Sequence, residues 1–436
     1  MSNPGCTNNN IAPIIPAKDI GEVYDNFDQA LPVDPSSEQY IPRDDPQLRR
    51  LVLDLIRAKT SLHAFLCGHR GSGKTTELRK LCKIKEIGEN YIPVFLTAQN
   101  FGTESVNLTH DALLVEIGRS MAEAGKEYGV TGSYEKELVD WGREIISKLV
   151  KSESLKAEAG AKANWWPFYF KVVGSTSKDR TQEEKQILAP KIEDLINILD
   201  RMAQDIRNKT GKRILVIVDD LEKGESDAEK DMHNRLFQEN YDSLVRPALS
   251  IVYTLPIYFR AMPGSRVPLG EIYAFSAIHI YSRAEKRKTT PQPDRDNRDY
   301  GIMKNFIEKR VHSPNALFEE KTIDELILIG GGLFRETARA VRLAAGEALA
   351  RKGDKITFKD VEYAFNSIKK DYQPMIRGED VNILRKVYDS EEGWVAGVEP
   401  FLQARAVVEY ENGDLWLDLR YVLKDYVLKL SDAEKG

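Results

Sequence analysis

Apolar residues recur in two rhythms along the chain. Four short runs, Leu62–Cys67, Tyr91–Leu96, Arg213–Val218 and Ala248–Leu255, are apolar without alternation, the pattern of parallel strands covered by helices on both faces. Between them lie stretches with helical spacing. Gln47–Lys59 carries Leu48, Leu51, Leu53, Leu55 and Ile56 largely on one side; Asp111–Ala124 and Ile192–Ile206 repeat the pattern, the latter through Leu195, Ile196, Leu199 and Met202. This alternation predicts an α/β fold with a parallel sheet, and Ile272–Ile280 reads as a further strand. From Tyr300 the chain is expected to become helical, over Tyr300–Val311, Thr322–Ile329, Arg335–Arg351 and Phe358–Lys370, which together make an α-helical lid. The C-terminal stretch predicts a helix at Glu379–Val387, a second element at Val398–Ala406, and a hairpin from Val407 to Asp418 about Asn412-Gly413, a strong turn signal. Helices followed by such a hairpin suggest a winged-helix-like module.

Four regions follow. Residues 1–45, rich in Pro, Asn and Asp, read as an extended arm; 46–299 as the α/β core; 300–373 as the lid; 374–436 as the small module. An insertion at about 130–190 breaks the core's rhythm and carries the aromatic knot Trp165-Trp166-Pro167-Phe168-Tyr169-Phe170. It reads as a hairpin covering the core or as a partner or self-assembly surface, since aromatics dominate both kinds of burial. The polar stretch 284–299 is expected to be a mobile loop.

The chemistry concentrates after the first strand. Gly68-His69-Arg70-Gly71-Ser72-Gly73-Lys74-Thr75 has the glycine, lysine and hydroxyl spacing of a phosphate-binding loop, and the run Thr76–Leu81 continues it as a helix. Glycines at a strand-to-helix turn let backbone N–H groups surround a phosphate at the positive end of the helix dipole. Gly68 through Thr76 are therefore the expected nucleotide-binding residues, with Lys74 on the β- and γ-phosphates and Thr75 on Mg²⁺. The run Arg213–Val218 ends in Asp219 and Asp220, at the strand end where open α/β sheets bind ligands. Asp219 is expected at the Mg²⁺ and Asp220 at the attacking water, with Glu222 a lesser candidate for the second role. Thr254, at the end of the Ala248–Leu255 strand, is expected to face the γ-phosphate.

Charge and cysteine usage narrow the setting. The net charge of −5 provides no overall footprint for nucleic acid. Cys6, Cys67 and Cys82 lack metal spacing and read as reduced packing residues. No apolar run approaches a membrane span and Met1–Asn10 has no secretory pattern, so a cytoplasmic location is expected. From Pro374 to Gly436 there are 8 Lys/Arg against 13 Asp/Glu, a net of −5; this predicts a protein-contact or autoinhibitory module more than a DNA-binding one. Trp416, Tyr410 and Leu417 on its hairpin are expected to meet a protein surface.

The order of parts resembles the AAA+ and STAND branch of P-loop ATPases, with the helical lid and winged helix of origin-recognition initiators. Gly68–Leu78, Val218-Asp219-Asp220-Leu221-Glu222-Lys223, Tyr253-Thr254-Leu255-Pro256 and Gly330-Gly331-Gly332-Leu333-Phe334-Arg335 carry the resemblance over roughly 40–430. It implies ATP and Mg²⁺ as cofactors, Thr254 as a first sensor, and Arg335 reaching the γ-phosphate from the lid. It also implies a homo-oligomer in which Arg266 acts as a finger on a neighbour's site, Arg260 and Arg283 being alternatives. Tyr40–Arg43 resembles a segment that packs on adenine. The function implied is an ATP-hydrolysing switch controlling an effector protein supplied in trans, a nuclease or other toxin, in bacterial antiviral defence. The alternative is a DNA-associated initiator, loader or transposition regulator.

Overall fold

A computed structural model of the chain describes residues 13–31, 33–98, 107–130, 133–149, 165–176, 182–224, 226–262 and 264–433. Met1–Asn10 with Cys6, and residues 150–164 and 177–181 of the insertion, lie outside the described residues. Five strands form one parallel sheet: β1 (His63–Gly68), β2 (Tyr91–Thr97), β3 (Arg213–Asp219), β4 (Ser250–Leu255) and β5 (Ile272–Phe275), in the order β2-β3-β4-β1-β5. β4 is buried at every position and β3 at all but its first, as the unbroken apolar runs require. The register pairs Leu66 with Thr254 and Val218 with Tyr253, so the loop after β1 and the acidic end of β3 open on the same edge, separated by the tip of β4. This is the P-loop nucleoside triphosphatase fold. No helix among the described residues is long and apolar enough to cross a membrane.

The lid helices follow, Phe334–Ala350 packing on Phe358–Tyr372 and on Thr322–Gly330. Three expectations outside the C-terminal module need revising. The arm is not wholly extended: Ile20–Asn26 is a helix capped by Asp19. Its buried Ile20 and Val23, with Phe27, seat it on the lid, where Arg342 stacks over Tyr24 at 4.4 Å. The strand expected to reach Ile280 stops at Phe275, after which Ala277 pairs with Tyr410 of the C-terminal hairpin. The 284–299 stretch is anchored, because Lys286 is buried and donates to the Val387 carbonyl at 2.7 Å. The insertion is helical, Tyr134–Leu149, Trp165–Thr176 and the long Gln182–Thr210. Trp165, Phe168, Tyr169 and Phe170 are buried within the chain, beside Trp141.

The C-terminal module contains helices Glu379–Asp389 and Glu399–Gln403, the hairpin β6 (Val407–Asn412) and β7 (Asp414–Leu419), and a further helix, Tyr421–Ala433. Tyr410, Trp416 and Leu417, expected to face a partner, are instead fully buried. Tyr410 and Trp416 stack on each other at 4.7 Å and pack against Tyr281 from the core.

Candidate nucleotide site

The loop after β1 turns through Gly71 (φ 88°) and Gly73 (φ 99°), a backbone path that L side chains avoid. Gly73 then caps the helix Lys74–Lys83, whose first N–H groups lack helical partners and face the loop. Lys74 is buried; its Nζ donates to the carbonyls of Gly68 (2.9 Å) and His69 (3.0 Å) and pairs with Glu222 Oε1 at 3.0 Å.

Asp219 is fully buried, and neither carboxylate oxygen accepts a hydrogen bond of normal geometry. Burial, reinforced by Glu222 and Asp220, pushes its pKa up to about 7, against the opposing pull of the Thr75 hydroxyl. Two orphaned carboxylate oxygens beside a hydroxyl are the donor set of a hard divalent cation, and this pair fits Mg²⁺. Ser72 Oγ is also buried without a partner in the loop.

The expected residues divide on inspection. Thr254 is buried at the tip of β4, but its hydroxyl accepts the Leu221 N–H at 3.0 Å, so it braces the turn after β3. Asp220, expected at the water, adopts φ 70° and pairs with Lys223 at 2.7 Å; Glu222 takes the place beside Lys74. Arg335, in the first turn of the lid helix, lies directly on the loop, its N–H on the Gly71 carbonyl at 3.3 Å, while a Cβ on Gly71 would meet the Arg335 Cβ at 2.6 Å. Arg70 and Arg405 crowd its guanidinium; burial, and then these charges, lower its pKa. Arg266 lies on the surface with its guanidinium on Asp242 at 2.7 Å. The alternatives are engaged with the C-terminal module: Arg260 with Glu409 at 2.6 Å, Arg283 with Asp414 at 3.2 Å.

Two contacts were not legible from the motifs. Buried Arg43 donates to the Ser72 carbonyl at 3.0 Å and to the Ser276 carbonyl at 2.8 Å, with its guanidinium 3.9 Å above the Phe275 ring. Tyr40 donates to Glu77 at 2.6 Å, so Tyr40–Arg43 clamps the loop and its helix. His69 is buried in the loop, and its Nε2 accepts the backbone N–H of Glu409 at 2.9 Å. The Glu409 carboxylate in turn accepts from Ser276 and Arg260. The phosphate-binding loop thus touches both lid and C-terminal hairpin.

The His69 contact requires a neutral imidazole. Burial, with Lys74 nearby, pushes its pKa down to about 3, and burial pushes that of His233, whose Nε2 is 2.8 Å from the Leu221 carbonyl, down to about 4. Both folded values lie below the unfolded value of about 6.5, so the unfolded chain takes up protons the folded one refuses. The contribution of the two histidines is therefore complete above about pH 6.5 and declines below it, by up to about 1.4 kcal/mol per pH unit for each, while Asp219, with its folded value raised to about 7, works against it and costs stability as the pH rises toward 7. Urea midpoints at pH 7.5 and 5.5 report the net of these opposing contributions, and His69→Gln, which leaves Asp219 in place, should lower the pH 7.5 midpoint relative to the pH 5.5 midpoint when compared with the wild type. An unchanged difference in the variant would contradict the assignment.

No family model matches the chain, and no curated protein matches it. Solved structures align over most of its length. A Walker-type ATPase of Pyrococcus abyssi is 14% identical, with TM-score 0.42, over 93% of this chain and 99% of that one. The Aeropyrum pernix ORC2 protein in its ADPNP-ADP complexes is 14% identical, with TM-score 0.39, over 94% and 96%. Drosophila ORC bound to DNA is 12% identical, with TM-score 0.39, over 98% and 97%.

Proposed function

We propose that the chain is an ATP-binding and ATP-hydrolysing switch of the AAA+ type, in which the nucleotide sets the positions of the lid and the C-terminal module. The observation that carries this reading is the double contact of the phosphate loop: Arg335 of the lid on Gly71, and Glu409 of the hairpin on His69. A phosphate entering the loop must reorganise the bonds that hold Lys74, at the point where both outer parts attach. The loop N–H groups and Lys74 would bind the phosphates, Thr75 and Asp219 would hold Mg²⁺, which supplies charge neutralisation and orients the phosphates, and Arg335 would register the γ-phosphate from the lid.

The output is proposed to be a protein partner supplied in trans, reached through a homo-oligomer in which Arg266 serves a neighbouring site. The module's cations support a protein partner over DNA. Arg420 and Lys424 are fully buried, Arg405 is directed at Glu336, and Arg385 and Lys429 are paired with Asp389 and Asp425, so five of its eight cations are already engaged.

Hydrogen exchange with and without ATP and Mg²⁺ tests the switch. Nucleotide should change protection at both Gly330–Arg335 and Val407–Glu411; a change confined to Gly68–Thr76 would sink the coupling.

A further inference from the structure

The turn that follows β3 presents a carboxylate, Glu222, that the sequence offers only as a lesser candidate for the attacking water. Asp219 ends the strand, and Asp220 enters the left-handed region at φ 70°, a conformation uncommon for a residue with a side chain. That turn sends the Asp220 carboxylate to Lys223, 2.7 Å away. Leu221 then hangs its N–H on Thr254 Oγ1 at 3.0 Å, and the chain folds back so that Glu222 returns to the phosphate loop. Its Oε1 lies 3.0 Å from Lys74 Nζ, its side chain is only 7% exposed, and Oε2 has no hydrogen-bond partner in the structure.

We infer that Glu222, and not Asp220, is the general base of the hydrolytic reaction, with Thr254 as the residue that positions it. The inference rests on the ATPase reading above. Glu222 is the carboxylate held at the loop by the same lysine that must reach the β- and γ-phosphates. When Lys74 turns to those phosphates it releases Oε1, while Thr254 keeps the turn, and hence the carboxylate, in place. Glu222 then accepts a proton from water as the water oxygen bonds to the γ-phosphorus. The bond from that phosphorus to the β–γ bridging oxygen breaks with its electron pair, so that ADP and phosphate leave and the proton is lost to solvent afterwards. Asp220, by contrast, is engaged with Lys223 and not with Lys74.

The assignment also accounts for the place of Thr254. A hydroxyl at a strand tip is free to face a ligand, but here it accepts from a backbone N–H and leans on the Val218 carbonyl at 3.5 Å. Val218 precedes the Asp219–Glu222 turn and Leu221 lies within it, so the Thr254 hydroxyl acts on the geometry of that turn.

The test uses the full chain, four single variants, Glu222→Gln, Glu222→Asp, Asp220→Asn and Thr254→Val, and the Glu222→Gln, Thr254→Val double variant, with ATP affinity from calorimetric titration and single-turnover phosphate release with Mg²⁺. Glu222→Gln should bind ATP at least as tightly as the wild type, because Lys74 no longer faces a full carboxylate charge, and should release phosphate at least about 100-fold more slowly, the scale of a lost general base. Glu222→Asp keeps the acid one methylene short and should fall between; it also carries the test should the glutamine variant melt early. Asp220→Asn should lose less than about tenfold. Thr254→Val should slow release alone yet add nothing in the Glu222→Gln background, which a purely structural role would not produce. The reverse ranking of Glu222 and Asp220 overturns the inference while leaving the ATPase reading intact. A wild-type protein that neither binds ATP nor releases phosphate overturns the reading itself.

Discussion

Arg420→Ala will cost the protein about 3–5 kcal/mol of folding stability, the range for removing one partner from a buried ion pair. The guanidinium is fully buried, and it donates to Glu336 at 2.8 Å, to the Tyr372 hydroxyl at 2.7 Å and to the Ile329 carbonyl at 2.7 Å. Those three groups belong to three lid elements, so a single side chain from the end of the hairpin ties the C-terminal module to the lid. Glu336 keeps Arg405 at 3.4 Å and Arg339 at 3.9 Å, both longer than its 2.8 Å bond from Arg420. Removing the acid as well, in Arg420→Ala with Glu336→Gln, should recover part of the loss, because the buried carboxylate left with only its longer pairs to Arg405 and Arg339 goes with it. Urea unfolding followed by far-UV circular dichroism measures both. A loss under about 1 kcal/mol for the single variant would mean that the module does not depend on this tie.

The same residues show what a sequence can and cannot disclose. The sheet was legible because its strands are self-announcing: β3 and β4 are apolar on both faces whatever their neighbours, and Gly68–Thr75 needs its residue types at fixed spacing to turn around a phosphate. The lid helices carry their own period as well. What escaped depends on partners distant in the chain. Tyr410 and Trp416 look like an adhesive hairpin until Tyr281, well over a hundred positions away, covers them. Lys286 looks solvated in a polar stretch until the Val387 carbonyl takes its proton donor. Asp220 looks catalytic because it follows Asp219, and only its φ of 70° reveals that the chain turns there and brings Glu222 forward in its place. His69 occupies a position in the loop where any residue is allowed, so no spacing marks its bond to Glu409.

Lys74→Ala should abolish ATP binding, weakening it by more than about 100-fold, and should also destabilise the protein by about 3 kcal/mol or more. The two losses have separate causes, and a second substitution separates them. The affinity loss follows from removing the cation that reaches the phosphates. The stability loss follows from what the ammonium does within the chain: it is the charge paired with Glu222, whose carboxyl burial would otherwise raise in pKa but which Lys74, with the Thr254 hydroxyl, holds below the usual range. Without Lys74, Glu222 and Asp219 remain as two buried carboxyl groups with no cation between them. Lys74→Ala combined with Glu222→Gln should therefore regain most of the stability while binding no more ATP than the single variant. Thermal melts and calorimetric titration with ATP and Mg²⁺ on wild type, both single variants and the double variant complete the cycle. If the double variant regains neither stability nor affinity, the Lys74–Glu222 pair is not what holds the loop; if it regains affinity, phosphate binding does not depend on the lysine, and the reading of Gly68–Thr75 as the nucleotide site fails with it.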